Sequence, residues 1–378
     1  MTDTKKQQPL TIIQDAFPAL SSTFILDQMT GLLDRGVSIR NWVVHLLNPE
    51  VMHQEVTRYR LLDLTNSVRV PERRGDMQIS DWVRAFCITN PAIDLTRLGA
   101  FHVHYGSMFN TFGPVFAVLD NFVAVSFHGH DASREFTLSG ERVYDFLFQR
   151  ANLITTPSEY MKGELVHRGC PADKVVIHRY GVRLDRFVPR AAPEPRDRPI
   201  VLTVARLVEK KGIEYGLRAI AALRPRTECE YRIIGEGRLE ASLKELVREL
   251  GLDGVVRFLG AQSKDRVLAE MRNADVFMLP SVTAQDGDKE GVPVALIEAH
   301  AVGLPVVSTQ HSGIPELVQD GVTGFLAPER DWEQLAQHLR ELLTSFDLRR
   351  KMGSAGRSRV EQEFDIHKLN DRLVSYFP

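Results

Sequence analysis

EGVPVALIEAHAVGLPVVST, residues 290–309, holds two kinds of apolar run side by side. From Pro293 to Gly303 the chain reads as a helix. Pro293 suits a first turn, where its missing N–H costs nothing, and glycine closes the other end. LPVVST, Leu304 to Thr309, reads as the strand that follows the helix. A helix leading straight into such a strand is half of a β–α–β repeat, and the flanks continue it. PIVLTVAR (199–206), YRIIGEG (231–237), VVRFLG (255–260) and DVFMLPS (275–281) read as strands. GIEYGLRAIAAL (212–223), RLEASLKELVRELG (238–251) and DRVLAEMRNA (265–274) between them have helical spacing. The regular alternation predicts an α/β chain with a parallel, doubly wound sheet and right-handed crossovers.

The first half repeats the theme. TIIQDAF (11–17), SIRNWVVHLL (38–47), AFHVHYG (100–106), NFVAVSFHG (121–129) and ANLITTP (151–157) are candidate strands, and STFILDQMTGLLDRG (22–36) is an amphipathic helix. Residues 50–95 read as a helical insertion. VPRAAPEPRDRP (188–199) is rich in Pro, Arg and acid and reads as an exposed linker. The expected organisation is therefore two Rossmann-like doubly wound domains facing across a cleft, 1–187 and 188–363, with a final helix over about 364–378 packing back on the first. Open parallel sheets bind ligands at the carboxyl ends of their strands. Residues just after strands are therefore the candidates for chemistry.

Bulk properties limit the classes. With 378 residues the chain is long enough for two cores. A net charge of −2 supplies no basic excess for nucleic acid. Cys87, Cys170 and Cys229 are scattered and odd in number, which suits a reducing cytoplasm. The stretch FGPVFAVLDNFVAVSF (112–127) is interrupted by Asp120 and Asn121 and is too short to span a bilayer.

Four stretches carry candidate chemistry. In VARLVEKKG (204–212), Arg206 ends a strand and Lys211 precedes a helix, a placement suited to a phosphate or diphosphate and equally open to a solvated loop. In KEGVPVALIEAH (289–300), Gly291 lets the backbone approach a ligand, and the positive helix end beside Pro293 favours an anion. Glu290 there suits a dipole contact. Glu298, among Val294–Ala299, lies roughly 7.5 Å along the axis from Pro293. A half-buried carboxylate needs a structural partner or a ligand's hydroxyls, such as a ribose cis-diol. In SFHGHD (126–131), His128 follows a strand and Gly129 permits a sharp turn. His128 is either a loop residue or a group for proton transfer or sugar binding. His130 and Asp131 can cap the segment ASREFTLSG (132–140), and HGHD has no second cluster to complete a metal site. In IIGEGRL (233–239), G-x-G after a strand is a weak phosphate signal, and Glu240 replaces the third glycine of a dinucleotide fingerprint. No P-loop and no G-x-S-x-G elbow occurs.

The ordered set HGHD, VARLVEKKG, IIGEG, EGVPVALIEAHAVGLPVVST and SGIPELVQDGVTGFL (312–326) resembles the retaining, family-four glycosyltransferases of the GT-B fold. DGDKEGVPV (286–294) with SFHGHD is similar to the branch that builds exopolysaccharide and colanic-acid-type polymers. The resemblance implies a nucleotide-sugar donor of UDP or GDP type in the second domain, an acceptor in the first, and no further cofactor. Arg206 and Lys211 would stabilise the diphosphate, and Glu298 would bind the ribose. Glu290 would hold hydroxyls of the transferred sugar, with backbone amides near Gly291 and Val292, and the helix start near Pro293 would favour the diphosphate. His128 would contact the sugar, while the Gly235–Gly237 turn and Leu259–Gly260 would flank the base. Where many relatives carry a glycine-rich loop, FPALSSTFI (17–25) stands here. Ser21, Ser22 and Thr23, with Asp131, are acceptor-side candidates by position, and the first three are equally suited to capping a helix.

The implied reaction is metal-independent hexosyl transfer with retention, to a glycan or lipid-linked acceptor at the inner face of the cytoplasmic membrane. A small soluble acceptor is the alternative. Rival classes are a sugar-nucleotide epimerase, which lacks this E-x7-E run, and a non-catalytic nucleotide-sugar-binding protein. Glu290 and Glu298 flank one helix and are poorly placed for the two-sided attack of a glycosidase.

Overall fold

The inner apolar runs become strands because both faces of each are covered. A computed structural model describes residues 8–19, 23–48, 52–73, 75–189, 196–223 and 227–378. Seven strands form the first sheet: β1 (Leu10–Phe17), β2 (Ile39–Leu46), β3 (Thr65–Ser67), β4 (Phe101–His104), β5 (Val123–Ser126), β6 (Leu153–Thr156) and β7 (Val175–Ile177). Their order is β3-β2-β1-β4-β5-β6-β7, and every neighbouring pair is parallel. Six strands form the second: β8 (Ile200–Val204), β9 (Glu230–Ile234), β10 (Val256–Phe258), β11 (Val276–Leu279), β12 (Val306–Thr309) and β13 (Gly324–Ala327). Their order is β10-β9-β8-β11-β12-β13, again all parallel. The expected pair of doubly wound α/β units is present.

Chain contacts divide the protein into one unit of Met1–Pro157, Met161–His178 and Ile366–Pro378, and a second of Ser158–Tyr160 and Arg179–Asp365. Residues 179–187 thus fall in the second unit, ahead of the Pro-rich stretch. Arg179 lies 3.6 Å from Glu316 and 3.4 Å from Glu363, and Val182 bridges to Asp365. The final helix, Ile366–Val374, lies on the first unit. Arg35 there meets the Asp371 carboxylate at 2.7 Å and the His367 carbonyl at 2.7 Å.

The core of the first unit is aromatic. Trp42 of β2 lies within 6.2 Å, centroid to centroid, of Phe86, Phe101 and Phe112, and Phe101 meets Phe116 edge-on. Each such ring, fully buried, contributes about 1.5–3 kcal/mol. The described part of residues 50–95 is not purely helical. Between the helices Gln54–Arg58 and Ile79–Thr89 they supply β3, which pairs with β2 through Asn41 and Thr65. Three polar residues, Thr-Asn-Ser, show no period that marks a strand. The second core joins helix Ile213–Leu223 and helix Trp332–Thr344 to β8, β9 and β11, through Leu217, Ile220, Tyr231, Met278 and Leu339.

Candidate active site

In the second sheet the strand order reverses between β8 and β11, where Val201 pairs with Val276 and Leu202 with Phe277. Ligands of open parallel sheets lie outside the carboxyl ends at such a point. The loop after β8 carries Arg206, Lys210 and Lys211, and the loop after β11 carries Asp288 and Glu290. Register alone brings these two charged segments together. The backbone locks them, since Val282 N–H donates to the Lys210 carbonyl at 2.9 Å. Gly212 makes the approach possible. Its φ is +60°, and a Cβ there would lie 1.8 Å from the Pro280 carbonyl oxygen. Gly212→Ala adds left-handed strain to a backbone clash, with an expected cost of at least about 3 kcal/mol. A thermal melt within a degree of wild type would refute that.

Lys211 Nζ lies 2.7 Å from Glu290 Oε1, and Glu290 is 7 % exposed. Burial works against the Glu290 charge, but Lys211, Lys210 and His311 together pull its carboxyl down to about 2. Burial also lowers Lys211 below its ordinary value, with Lys210 and Arg206 adding repulsion, while Glu290 resists the fall. The two partners' shifts differ in which influence wins. The geometry decides: at 2.7 Å each keeps the other charged at neutral pH. The adjacent Lys210 pairs with Asp288 at 2.9 Å and donates to the Lys289 carbonyl at 3.2 Å. Arg206 stands exposed just past β8. Sequence reading placed Lys211 with Arg206 as two cations for one anion. In the structure Lys211 also holds Glu290. An ammonium has three donors, so engagement with Glu290 leaves others for a ligand.

Helix Val294–Ala301 starts one residue later than Pro293, which has φ −63° but ψ 119° and so remains extended. Gly291, Val292 and Pro293 are buried in front of this helix, and Glu298 is half-buried on it. On the other side of β8, the Gly235–Gly237 turn is tied to two loops. Gly235 N–H donates to the Gly260 carbonyl at 2.9 Å, and Leu207 N–H donates to the Glu236 carbonyl at 2.9 Å. Leu259 N–H continues the ladder to Ile233 at 2.8 Å. The turn, Leu259–Gly260 and the Arg206 segment therefore share one end of this sheet.

Sequence reading missed the support of Glu290. His311, after β12, accepts the Glu290 N–H on Nε2 at 3.0 Å, and its Nδ1 lies 2.6 Å from Glu329, after β13. Ser312 donates to the Glu290 carbonyl at 2.6 Å. The signal was available in part. His311 and Glu329 both stand just past strands, the position that singled out Arg206.

In the first unit, Asp131 is fully buried. Its Oδ1 accepts the N–H groups of His128 and Gly129, each at 2.9 Å, and its Oδ2 accepts Gly106 N–H at 3.1 Å. The carboxylate thus builds the turn that presents His128. Gly129 has φ 154° and ψ −83°, a pair open to glycine. The His128 ring sits between Phe24 and Tyr105, with Nε2 3.0 Å from His104 Nδ1. Burial, with His102, His130 and His178 nearby, holds His128 well below its ordinary value, so it is a neutral imidazole at pH 7. Thr23 is half-buried at the start of helix Thr23–Asp34. Ser21 and Ser22 lie outside the described residues. Among the described residues, no group of three or more His, Cys, Asp or Glu converges to hold a metal ion, and no helix is long and apolar enough to cross a membrane.

Two doubly wound parallel sheets, the second with charged loops at its switch point, make up the GT-B fold. The group 1 glycosyl transferase profile matches residues 186–359. The chain is 35% identical to the colanic acid biosynthesis glycosyltransferase designated WcaL of Escherichia coli K12, across 95% of this chain and 97% of that protein. It is 33% identical to the amylovoran biosynthesis glycosyltransferase AmsK of Erwinia amylovora, across 95% and 96%. The chain belongs to the group 1 glycosyl transferases. Among solved structures, Anabaena HepE in complex with UDP and glucose shares the fold, with a TM-score of 0.78 at 18% identity over 98% of this chain and 99% of that one.

Proposed function

We propose that this glycosyltransferase moves a hexose, with retention, from a UDP- or GDP-sugar to a hydroxyl of a lipid-linked glycan during surface polysaccharide synthesis at the cytoplasmic face of the membrane. The observation that carries the donor side is the buried Lys211–Glu290 pair beside exposed Arg206 at the switch point of the second sheet. The full-length similarity to WcaL and AmsK supports the polymer class.

In the proposed reaction the bond from the anomeric carbon to the diphosphate oxygen breaks, and a bond to the acceptor oxygen forms on the same face. The acceptor proton passes to the departing phosphate. Arg206 and Lys211 stabilise the charge that develops on the diphosphate. Those cations supply what a divalent ion would otherwise supply, so transfer proceeds without one. Glu298 binds the ribose hydroxyls, and Glu290 orients the transferred sugar. Gly235–Gly237 and Leu259–Gly260 flank the base. His128, in the first unit, offers a neutral imidazole to a sugar hydroxyl.

A thermal-shift panel of UDP- and GDP-sugars tests the donor. A ligand at a hundred times its Kd adds about 2.7 kcal/mol, or roughly 5–10 °C in Tm for a unit of this size. One nucleotide series should reach that range and the other should not. A flat panel would remove the donor reading. Transfer from the stabilising donor, measured with and without EDTA on a lipid-linked and on a short soluble acceptor, then separates the remaining parts.

A further inference from the structure

Beneath Glu290 stands a buried imidazole that the proposed transfer chemistry leaves unused. His311 is 1 % exposed. Its Nε2 accepts the Glu290 N–H at 3.0 Å, so that nitrogen carries no proton. Its Nδ1 faces Glu329 Oε1 at 2.6 Å and therefore carries the proton; the tautomer is assigned from its partners. Glu329 Oε2 in turn accepts Thr283 N–H at 2.8 Å, and Oε1 accepts the Thr283 hydroxyl at 3.2 Å. Ser312 donates to the carbonyl of Glu290 at 2.6 Å. Both peptide groups flanking Glu290 Cα are thus gripped by consecutive residues after β12. The other end of the same loop, Thr283, is gripped by the residue that orients His311. One hydrogen-bonded chain, Thr283–Glu329–His311–Glu290, fixes the loop at both ends.

We propose that His311 and Glu329 are positioning residues for the transfer reaction, setting the backbone of Glu290 so that its carboxylate and the following amides meet the transferred sugar. The proposal rests on the reading that Glu290 orients that sugar. A buried histidine serving packing alone would not require a particular tautomer, whereas this role requires a neutral ring with Nε2 bare. Protonation would set a donor against the Glu290 N–H. The charged groups around the ring are Glu329 and Glu290, which favour the imidazolium, and Lys289, which disfavours it, with Arg330 3.6 Å from Glu329. Burial prevails and keeps His311 below its ordinary value, so the ring is neutral at pH 7.

The first test needs no ligand. In 15N-histidine NMR of the full chain at pH 7, the resonance that disappears in His311→Gln should show a protonated Nδ1 and an unprotonated Nε2. An Nε2–H tautomer or an imidazolium overturns the proposal. The second test is kinetic, with the nucleotide sugar that supports wild-type turnover. His311→Phe should lower kcat/KM by about tenfold to a hundredfold through misplacement. The affinity for the nucleoside diphosphate alone, UDP or GDP, should stay within about twofold, because the turn meets the sugar. His311→Gln, whose amide oxygen can accept the Glu290 N–H, should recover part of the loss. Glu329→Gln removes the charge that favours the imidazolium, so the acid limb of kcat/KM should move to lower pH. An unmoved limb with undiminished turnover in both His311 variants sinks the idea. Glu290→Gln separates the two levels. If it turns over like wild type, the reading of Glu290 fails. If it is impaired while His311→Phe is not, only the positioning role fails. Should His311→Phe not fold, the NMR tautomer, His311→Gln and Glu329→Gln still decide.

Discussion

Lys211→Ala is expected to lower kcat/KM for sugar transfer by about 10²–10³-fold, the usual loss when one preorganised donor to a developing anion is removed. The same change leaves the Glu290 carboxylate buried without its nearest cation. Breaking a buried pair in this way costs about 3–5 kcal/mol. The pH dependence gives the signature. Glu290 has its carboxyl depressed from 4.5 to about 2 in the folded chain. The stability it contributes is therefore present above pH 4.5 and lost as pH falls toward 2. Without Lys211 the folded value rises, and the slope of stability against pH in that window should flatten. Urea titrations at several pH values, alongside steady-state transfer, check both. Wild-type turnover in Lys211→Ala would take the leaving-group role from this residue.

Glu290→Gln is the second large effect. Hydrogen bonds to a charged group contribute about 1.5–3 kcal/mol each, so losing one or two to sugar hydroxyls should lower turnover roughly 10- to 10⁴-fold. The amide keeps the shape but leaves Lys211 a buried cation without its counter-charge, and its pKa should fall further. The double variant Lys211→Ala/Glu290→Gln should be more stable than either single change predicts by addition, because it removes both charges at once. Additive melting shifts would mean the 2.7 Å contact contributes no coupling.

Much of the fold was legible because it depends on local rules. Strands covered on both faces must be continuously apolar, and the helices between them must repeat at their own period. That is clearest for β8 and β11, whose apolar runs were read directly. It fails for β3, β7 and β13. Thr65–Ser67 is three polar residues at an edge, and Val175–Ile177 and Gly324–Ala327 are too short to show a period. The unit boundary was blurred for a related reason. The Pro-rich stretch advertises itself by composition, whereas residues 179–187 join the second unit through Arg179 and Val182, contacts that no local pattern records.

The site divides along the same line. Polar residues just after strands or just before helices are visible in one dimension, so Arg206, His128, Lys211 and Glu290 could be named from position. What each touches was not. Pairing β8 with β11 brings Lys211 to Glu290, and the further pairing of β12 and β13 brings His311 and Glu329 beneath it. Asp131 shows the limit from the other side: by position a ligand contact, in three dimensions the acceptor for three backbone N–H groups. The amino-acid order sufficed for the α/β alternation, the parallel sheets and the strand-end residues, since these follow from periodicity and burial within short windows. The partner of each charge depended on which strands lie side by side. That adjacency is a property of the folded sheet, where a carboxylate 2.7 Å from an ammonium becomes a buried ion pair instead of two solvated side chains.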